Sequence, residues 1–158
     1  MTTNTAYVPA PAVRVAADKL APAAMRAMGV LEEATRRSPL EPGLKELVRT
    51  RASQINGCAY CVDMHSKDAR AIGETEQRIY ALPVWPETPF FTDQERAALA
   101  FTENVTRSQV SDEAYAEFAK EFSEREQAAI LSLVVTINAW NALGATTHAW
   151  LPGSYQLA

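Results

Sequence analysis

Apolar positions three and four residues apart recur along the chain from Pro22 to Gly144, whereas alternation of period two never persists beyond a few residues. The first spacing builds amphipathic helices and the second builds strands, so the expected fold is all-α. Capping signals divide the pattern into elements. Pro22 suits a first helical turn and Ser38-Pro39 an end, which predicts a helix over Pro22–Arg37. Leu44, Leu47, Val48 and Ile55 form a stripe over Gly43–Ile55, with Asn56-Gly57 as its stop. A third helix is expected from Cys58 to Ile72, closed by Gly73, and a short one over Glu74–Ala81. Thr92-Asp93-Gln94-Glu95 and Ser123-Glu124-Arg125-Glu126 read as capping boxes opening helices to Thr106 and Gly144, and Ser111 or Asp112 opens another to Phe122 between them.

Two segments break the pattern. Met1–Ala17, with Pro9 and Pro11, reads as an extended N-terminal arm ahead of a single domain over residues 18–158. In Leu82–Phe91, Pro83, Pro86 and Pro89 argue against a helix, while Trp85, Phe90 and Phe91 argue against a solvated linker. That segment is expected to pack against its own domain, with a pocket wall or a subunit contact as the sharper alternative. The last helix is apolar nearly all round, which suits a central position or a subunit interface.

Composition narrows the function classes. A chain of 158 residues with 47% hydrophobic content buries roughly two thirds of its unfolded surface and needs no disulfide scaffold. Nineteen acidic against 15 basic residues leave a net charge of −4, so neither nucleic acid nor an anionic membrane is an expected partner. Ala128–Ala149 carries Thr136, Asn138, Asn141 and His148 among its apolar residues, too polar for a lipid span. The chain's start lacks the order of a signal peptide, so a reducing, cytoplasmic location is expected. A bridge between Cys58 and Cys61 would close too small a loop to brace the fold, so any role of the pair is chemical rather than mechanical.

The stretch Asn56-Gly57-Cys58-Ala59-Tyr60-Cys61-Val62-Asp63-Met64-His65 carries the chemistry. At 100° per residue Cys58, Cys61, His65 and Ala69 share one face, opposite Tyr60, Asp63, Lys67 and Arg70. Residues three apart on a helix are about 5 Å apart at Cα, within disulfide range. The break at Asn56-Gly57 puts both thiols at a helix start, where unpaired amides and the macrodipole favour a thiolate. A thiolate with a second thiol one turn away suits attack on peroxides or disulfides, so the pattern points to a dithiol redox centre. Zinc fits poorly, because two cysteines and two histidines, with His148 distant, offer too few grouped ligands. A thioredoxin-type reading lacks its βαβ context, and an inert pair of buried thiols with a core histidine stays open as the plain alternative.

Glu46, Cys58, Cys61 and His65 together keep a fixed pattern: a glutamate twelve residues before a CxxC, then a histidine four residues on. On that pattern, over about Leu44–Gly73, the chain resembles the AhpD-like alkyl hydroperoxidases of the carboxymuconolactone decarboxylase superfamily. The resemblance implies a compact all-α domain of six or seven helices, a helix-mediated homo-oligomer (dimer, trimer or hexamer), and reduction of hydroperoxides without cofactor or metal. It further implies Cys61 as the peroxidatic thiol and Cys58 as the partner that closes the disulfide. His65 and Glu46 would form the proton relay, and a dithiol reductant, lipoyl-bearing or thioredoxin-like, would reset the enzyme. Tyr60 departs from the pattern, standing where the best-studied members carry a histidine, so weaker peroxidase activity is expected. Periodicity alone makes Glu46 a solvated charge opposite the Leu44, Leu47, Val48 stripe. On one straight helix it would lie about 18 Å from Cys58, so the motif requires a bend at Asn56-Gly57. His148 is expected to be structural, and Asn138 and Asn141 to hydrogen-bond a neighbouring segment. Two other functions remain: a small-lactone decarboxylase-like enzyme of the same superfamily, against which the cysteine pair argues, and a non-catalytic helical redox sensor.

Overall fold

The computed structural model describes residues 8, 9 and 11–157, so residues 1–7 and 10 of the expected arm lie outside the described residues, as does residue 158. Eight α-helices and no strand occur among the described residues. They are α1 (Ala17–Leu20), α2 (Pro22–Arg36), α3 (Pro42–Ile55), α4 (Ala59–Ala71), α5 (Glu76–Ala81), α6 (Asp93–Thr106), α7 (Asp112–Glu121) and α8 (Glu124–Thr147). Both capping boxes form: the Thr92 and Ser123 hydroxyls accept from the amides of Glu95 and Glu126, whose carboxylates accept in return from the amides of Thr92 and Ser123. Each pair satisfies two otherwise orphaned donors.

Three elements differ from expectation. Leu82–Glu87 is a 3-10 helix, not an irregular loop. Pro83 sits at its start and Pro86 follows a kink at Val84, so short i→i+3 turns survive where an α-helix would not. Ala17, the last residue of the expected arm, opens α1, and Arg14 N–H donates to the Thr147 carbonyl at 2.8 Å. Finally, α8 runs past Gly144 to Thr147 and ends on His148 in the left-handed region (φ 52°).

Helix α3 organises the core, packing against α4, α6 and α8. Its Val48 joins Phe101, Phe118, Ile130, Leu133 and Val134 in one apolar cluster, where Phe101 and Phe118 stack at 3.9 Å. Its Leu47 joins Leu82, Trp85, Phe91 and Leu99 in a second. The proline-rich segment therefore packs on its own domain, each fully buried large apolar side chain contributing about 1.5–3 kcal/mol of burial. By length and composition α8 is long enough to cross a membrane, but it packs against α2, α3, α4 and α6 and contributes Ile130, Leu133 and Val134 to the interior.

The bend that the motif requires is a Schellman turn. Gly57 adopts φ 66° and its amide donates to the Gln54 carbonyl, while the Cys58 amide donates to the Ser53 carbonyl at 3.1 Å. Glycine takes this left-handed conformation without a Cβ penalty. Asn138 and Asn141 of α8 hold the corner, both accepting from the Asn56 side-chain amide at 2.7 and 3.0 Å. Asn141 also donates to the Ser53 hydroxyl.

Candidate active site

Cys58 is the N-cap of α4, in extended conformation (φ −84°, ψ 94°), and Cys61 lies in the first turn. The two are joined as a disulfide with Cα atoms 5.3 Å apart, and both residues are buried, at 2% and 3% exposure. Cys58 is thus one position outside the helix it was expected to open, because its backbone is extended rather than helical (ψ 94°). Behind it, α8 comes very close. A Cβ built on Gly144 would lie 2.8 Å from the Cys58 sulfur and 3.5 Å from the Trp150 ring.

One turn beyond Cys61, the buried His65 places Nδ1 2.9 Å from Glu46 Oε2. Glu46 is therefore interior, 8% exposed, which corrects the surface position that its helical phase suggests. The reason is tertiary: α4 folds back across that face of α3, and α2 supplies Glu32 beyond it. Arg49 Nη1 donates to Glu46 at 2.7 Å and Arg49 Nη2 to Glu32 at 2.9 Å, so the carboxylate is balanced on both sides. Burial raises the Glu46 pKa, but the hydrogen bond and charge of His65, then those of Arg49, outweigh it and hold the carboxyl below its ordinary value. Nε2 of His65 is buried without a hydrogen-bond partner among the described residues.

The structure thus brings all four motif residues into one neighbourhood of α3 and α4. Several neighbours escaped the sequence reading. Asp68 Oδ2 approaches His65 Nδ1 at 4.0 Å, while its other oxygen accepts from the Tyr155 hydroxyl at 2.6 Å. That hydrogen bond, with burial, pushes the Tyr155 phenol up to about 12. Arg49 had a signal, being three residues from a glutamate on one helix. So did Gly144, an isolated glycine inside a helical pattern. Tyr155 had none, since 87 residues separate it from Asp68.

Glu46, His65 and Asp68 bring possible metal-ligating atoms within 4.8 Å of one another. Both carboxylates are already engaged, by Arg49 and by Tyr155, so a cation there would meet a guanidinium. The cluster is better suited to holding a proton than a metal. Above it opens a cavity of about 640 Å³ whose floor includes Cys61 and His65.

Residues 22–104 match the carboxymuconolactone decarboxylase family. The chain belongs to that family. This family member is 39% identical over 133 residues to the uncharacterised protein YdfG of Bacillus subtilis strain 168, covering 82% of this chain and 90% of YdfG. It also superposes on a protein of unknown function from Agrobacterium tumefaciens, provisionally described as the antioxidant defence protein AhpD. That match has a TM-score of 0.85 and 37% identity, over 89% of this chain and 99% of the other. The AhpD-like assignment and the all-α fold expected from the motif both hold, with eight α-helices among the described residues, one more than the six or seven expected. The debrominase Bmp8, in its ligand-free form, shares the fold at 22% identity and a TM-score of 0.76, over 84% of this chain and 73% of Bmp8.

Proposed function

We propose that this protein is a thiol-dependent peroxidase, an alkyl-hydroperoxidase-like disulfide oxidoreductase working through Cys58 and Cys61. The observation that carries the reading is the disulfide at the floor of an open cavity, one turn from a histidine held by a buried carboxylate. Reduction by a dithiol opens the bridge. Cys61, in the first turn of α4, is the thiol that the helix N-terminus favours as thiolate. His65 is the base: Glu46 fixes its Nδ1 side, leaving Nε2 to accept the proton.

The thiolate attacks the terminal peroxide oxygen; an S–O bond forms, the O–O bond breaks, and the leaving alkoxide takes the proton to become an alcohol. The Cys58 thiol then attacks the sulfenic acid, the disulfide closes and water leaves. The hydroperoxide is reduced by two electrons and the thiol pair is oxidised by two. The reductant is a lipoyl-bearing or thioredoxin-like dithiol, and the cytoplasm supplies it. Leu131 and Val135, 42% and 50% exposed on α8, support assembly of a homo-oligomer through that helix.

Reduced protein titrated with a hydroperoxide should lose both thiols as a pair for each peroxide consumed, and Cys61→Ser should abolish that loss. Full peroxide turnover by Cys61→Ser would overturn the reading. Turnover that survives alkylation of both thiols would point instead to lactone chemistry. Unreactive thiols with pKa values near the unperturbed value of about 8.5 would point to a non-catalytic sensor.

A further inference from the structure

The cavity above Cys61 is too large for a peroxide group alone. At about 640 Å³ it falls within the ~300–1,000 Å³ of sites that take whole organic molecules. One wall is aromatic: Trp150 lies 6.0 Å from Tyr60 and 5.8 Å from Trp140, centroid to centroid, in tilted and edge-on arrangements. Met64 and Ile137 extend this surface. Such a wall offers ring edges and faces to another ring.

The opposite rim is charged but cancels. Glu32, Glu46 and Asp68 stand against Arg36, Lys45 and Arg49. Each cation is also engaged: Arg49 bridges Glu46 and Glu32, Arg36 lies 3.5 Å from Glu32, and the Lys45 ammonium donates to the carbonyls of Arg36 and Ser38. Three carboxylates against three cations leave this rim without net charge, so an anionic ligand gains no net attraction there to offset its desolvation.

The C-terminal tail forms part of the cavity wall. Tyr155 and Leu157 line it, and the tail is tied to α4 at three points. The Gly153 amide donates to Asp63, Lys67 donates to the Tyr155 carbonyl, and the Tyr155 hydroxyl donates to Asp68. The wall residues Trp140 and Trp150 and the tail all lie beyond residue 104, where the family match ends.

We propose that residues 150–157, with Tyr60 and Trp140, form a specificity site for the neutral aromatic body of a ligand whose reactive end meets Cys61. The identity of that reactive end, a hydroperoxide, rests on the peroxidase reading; the site for the ring does not. Cumene hydroperoxide and 2-phenyl-2-propanol, the alcohol it leaves, are suitable probes. The alcohol cannot oxidise a thiol, so its binding is read without turnover.

Calorimetric titration of the full-length protein with 2-phenyl-2-propanol should show saturable binding at one site. Tyr155→Ala and Trp140→Ala should each weaken it about tenfold, as expected for losing one aromatic contact surface, and octanoate should bind at least as weakly as the alcohol does to those variants. In steady-state assays the ratio of kcat/KM for cumene hydroperoxide to that for hydrogen peroxide should fall by a similar factor in both variants. Alcohol affinity unchanged in a folded Tyr155→Ala protein would overturn the role of the tail, and octanoate binding as tightly as the alcohol would overturn the preference for a neutral ligand. Saturable alcohol binding without any peroxide-dependent disulfide would defeat the peroxidase reading and leave this site standing. Equal turnover of both peroxides with no alcohol binding would do the reverse.

Discussion

Helix α3 carries two arginines, Arg49 and Arg51, and each holds a largely buried glutamate on a different side of the helix. On one side Arg51 donates to Glu103 at 2.8 Å, and the Trp85 indole and Arg107 donate to the same carboxylate at 2.8 and 2.6 Å. On the other, Glu46 takes Arg49 and His65. Both glutamates have pKa values below the ordinary one; in both, burial works upward and is outweighed, by Arg107, Trp85 and Arg51 for Glu103 and by His65 and Arg49 for Glu46. Electrostatics therefore does not tell them apart. The difference is what remains unsatisfied: the Glu103 cluster pins the proline-rich segment to α6, whereas the Glu46 cluster leaves His65 Nε2 without a partner among the described residues, on a histidine that lines the cavity together with Cys61. A perturbed carboxylate alone marks a well-tied fold as readily as a reactive site.

Replacing each glutamate tests that contrast most severely. Glu46→Gln should slow peroxide-dependent thiol oxidation by about a hundredfold, the lower end of what a lost acid–base relay costs. Glu103→Gln should leave that rate near wild type and lower stability by about 1–3 kcal/mol, the cost of weakening a buried charged hydrogen-bond set. Stopped-flow thiol oxidation and urea unfolding check both. Equal slowing by the two variants would erase the distinction.

A smaller effect separates the sulfur's seat from the rest of α8. Alanine inside a helix ordinarily stabilises relative to glycine by about 0.5–1 kcal/mol. Gly144→Ala should do the opposite, because its Cβ would fall 2.8 Å from the Cys58 sulfur. A loss of about 1–3 kcal/mol, typical of overpacking, together with slower disulfide closure, is expected from thermal unfolding and thiol quantitation. Greater stability in the variant would show that Cys58 has room to move.

The smallest effect is acid sensitivity. Both carboxyls are depressed in the folded state, so their contribution is complete above the ordinary carboxyl value of about 4.5 and is lost as pH falls through the lower folded values. The slope of stability against pH below about 4.5 should flatten in Glu46→Gln and in Glu103→Gln alike. An unchanged slope in either variant would mean that the glutamate it removes does not take up a proton on unfolding. Tyr155 has the opposite sign: its raised phenol supports tail docking below about 10, and the support is withdrawn as pH rises towards 12. Fluorescence of Trp150 read across that range checks it.

Much of this was legible along the chain because its causes are local. Capping boxes, the Asn56-Gly57 stop and the CxxC-to-histidine spacing act within a turn or two, and the helices begin and end close to where those signals put them. Glu46 was misplaced by periodicity because a helical phase says which residues share a face, not what will cover that face. In this protein α3 is covered on nearly every side, so its residues from Glu46 to Ser53 are all buried. Gly144 was read as a stop because glycine often ends helices; here the helix continues and the missing side chain makes room for a sulfur from another element.

The order of residues was enough to specify an all-α chain, a bend at Gly57 and two thiols at the start of α4, since each follows from backbone conformation within a few positions. Long-range packing decided the rest. The Glu46–His65 contact, the Gly144–Cys58 approach and the tail over the cavity join residues 19, 86 and 87 positions apart. Such contacts depend on how α3, α4 and α8 fill space together, and no local pattern encodes that.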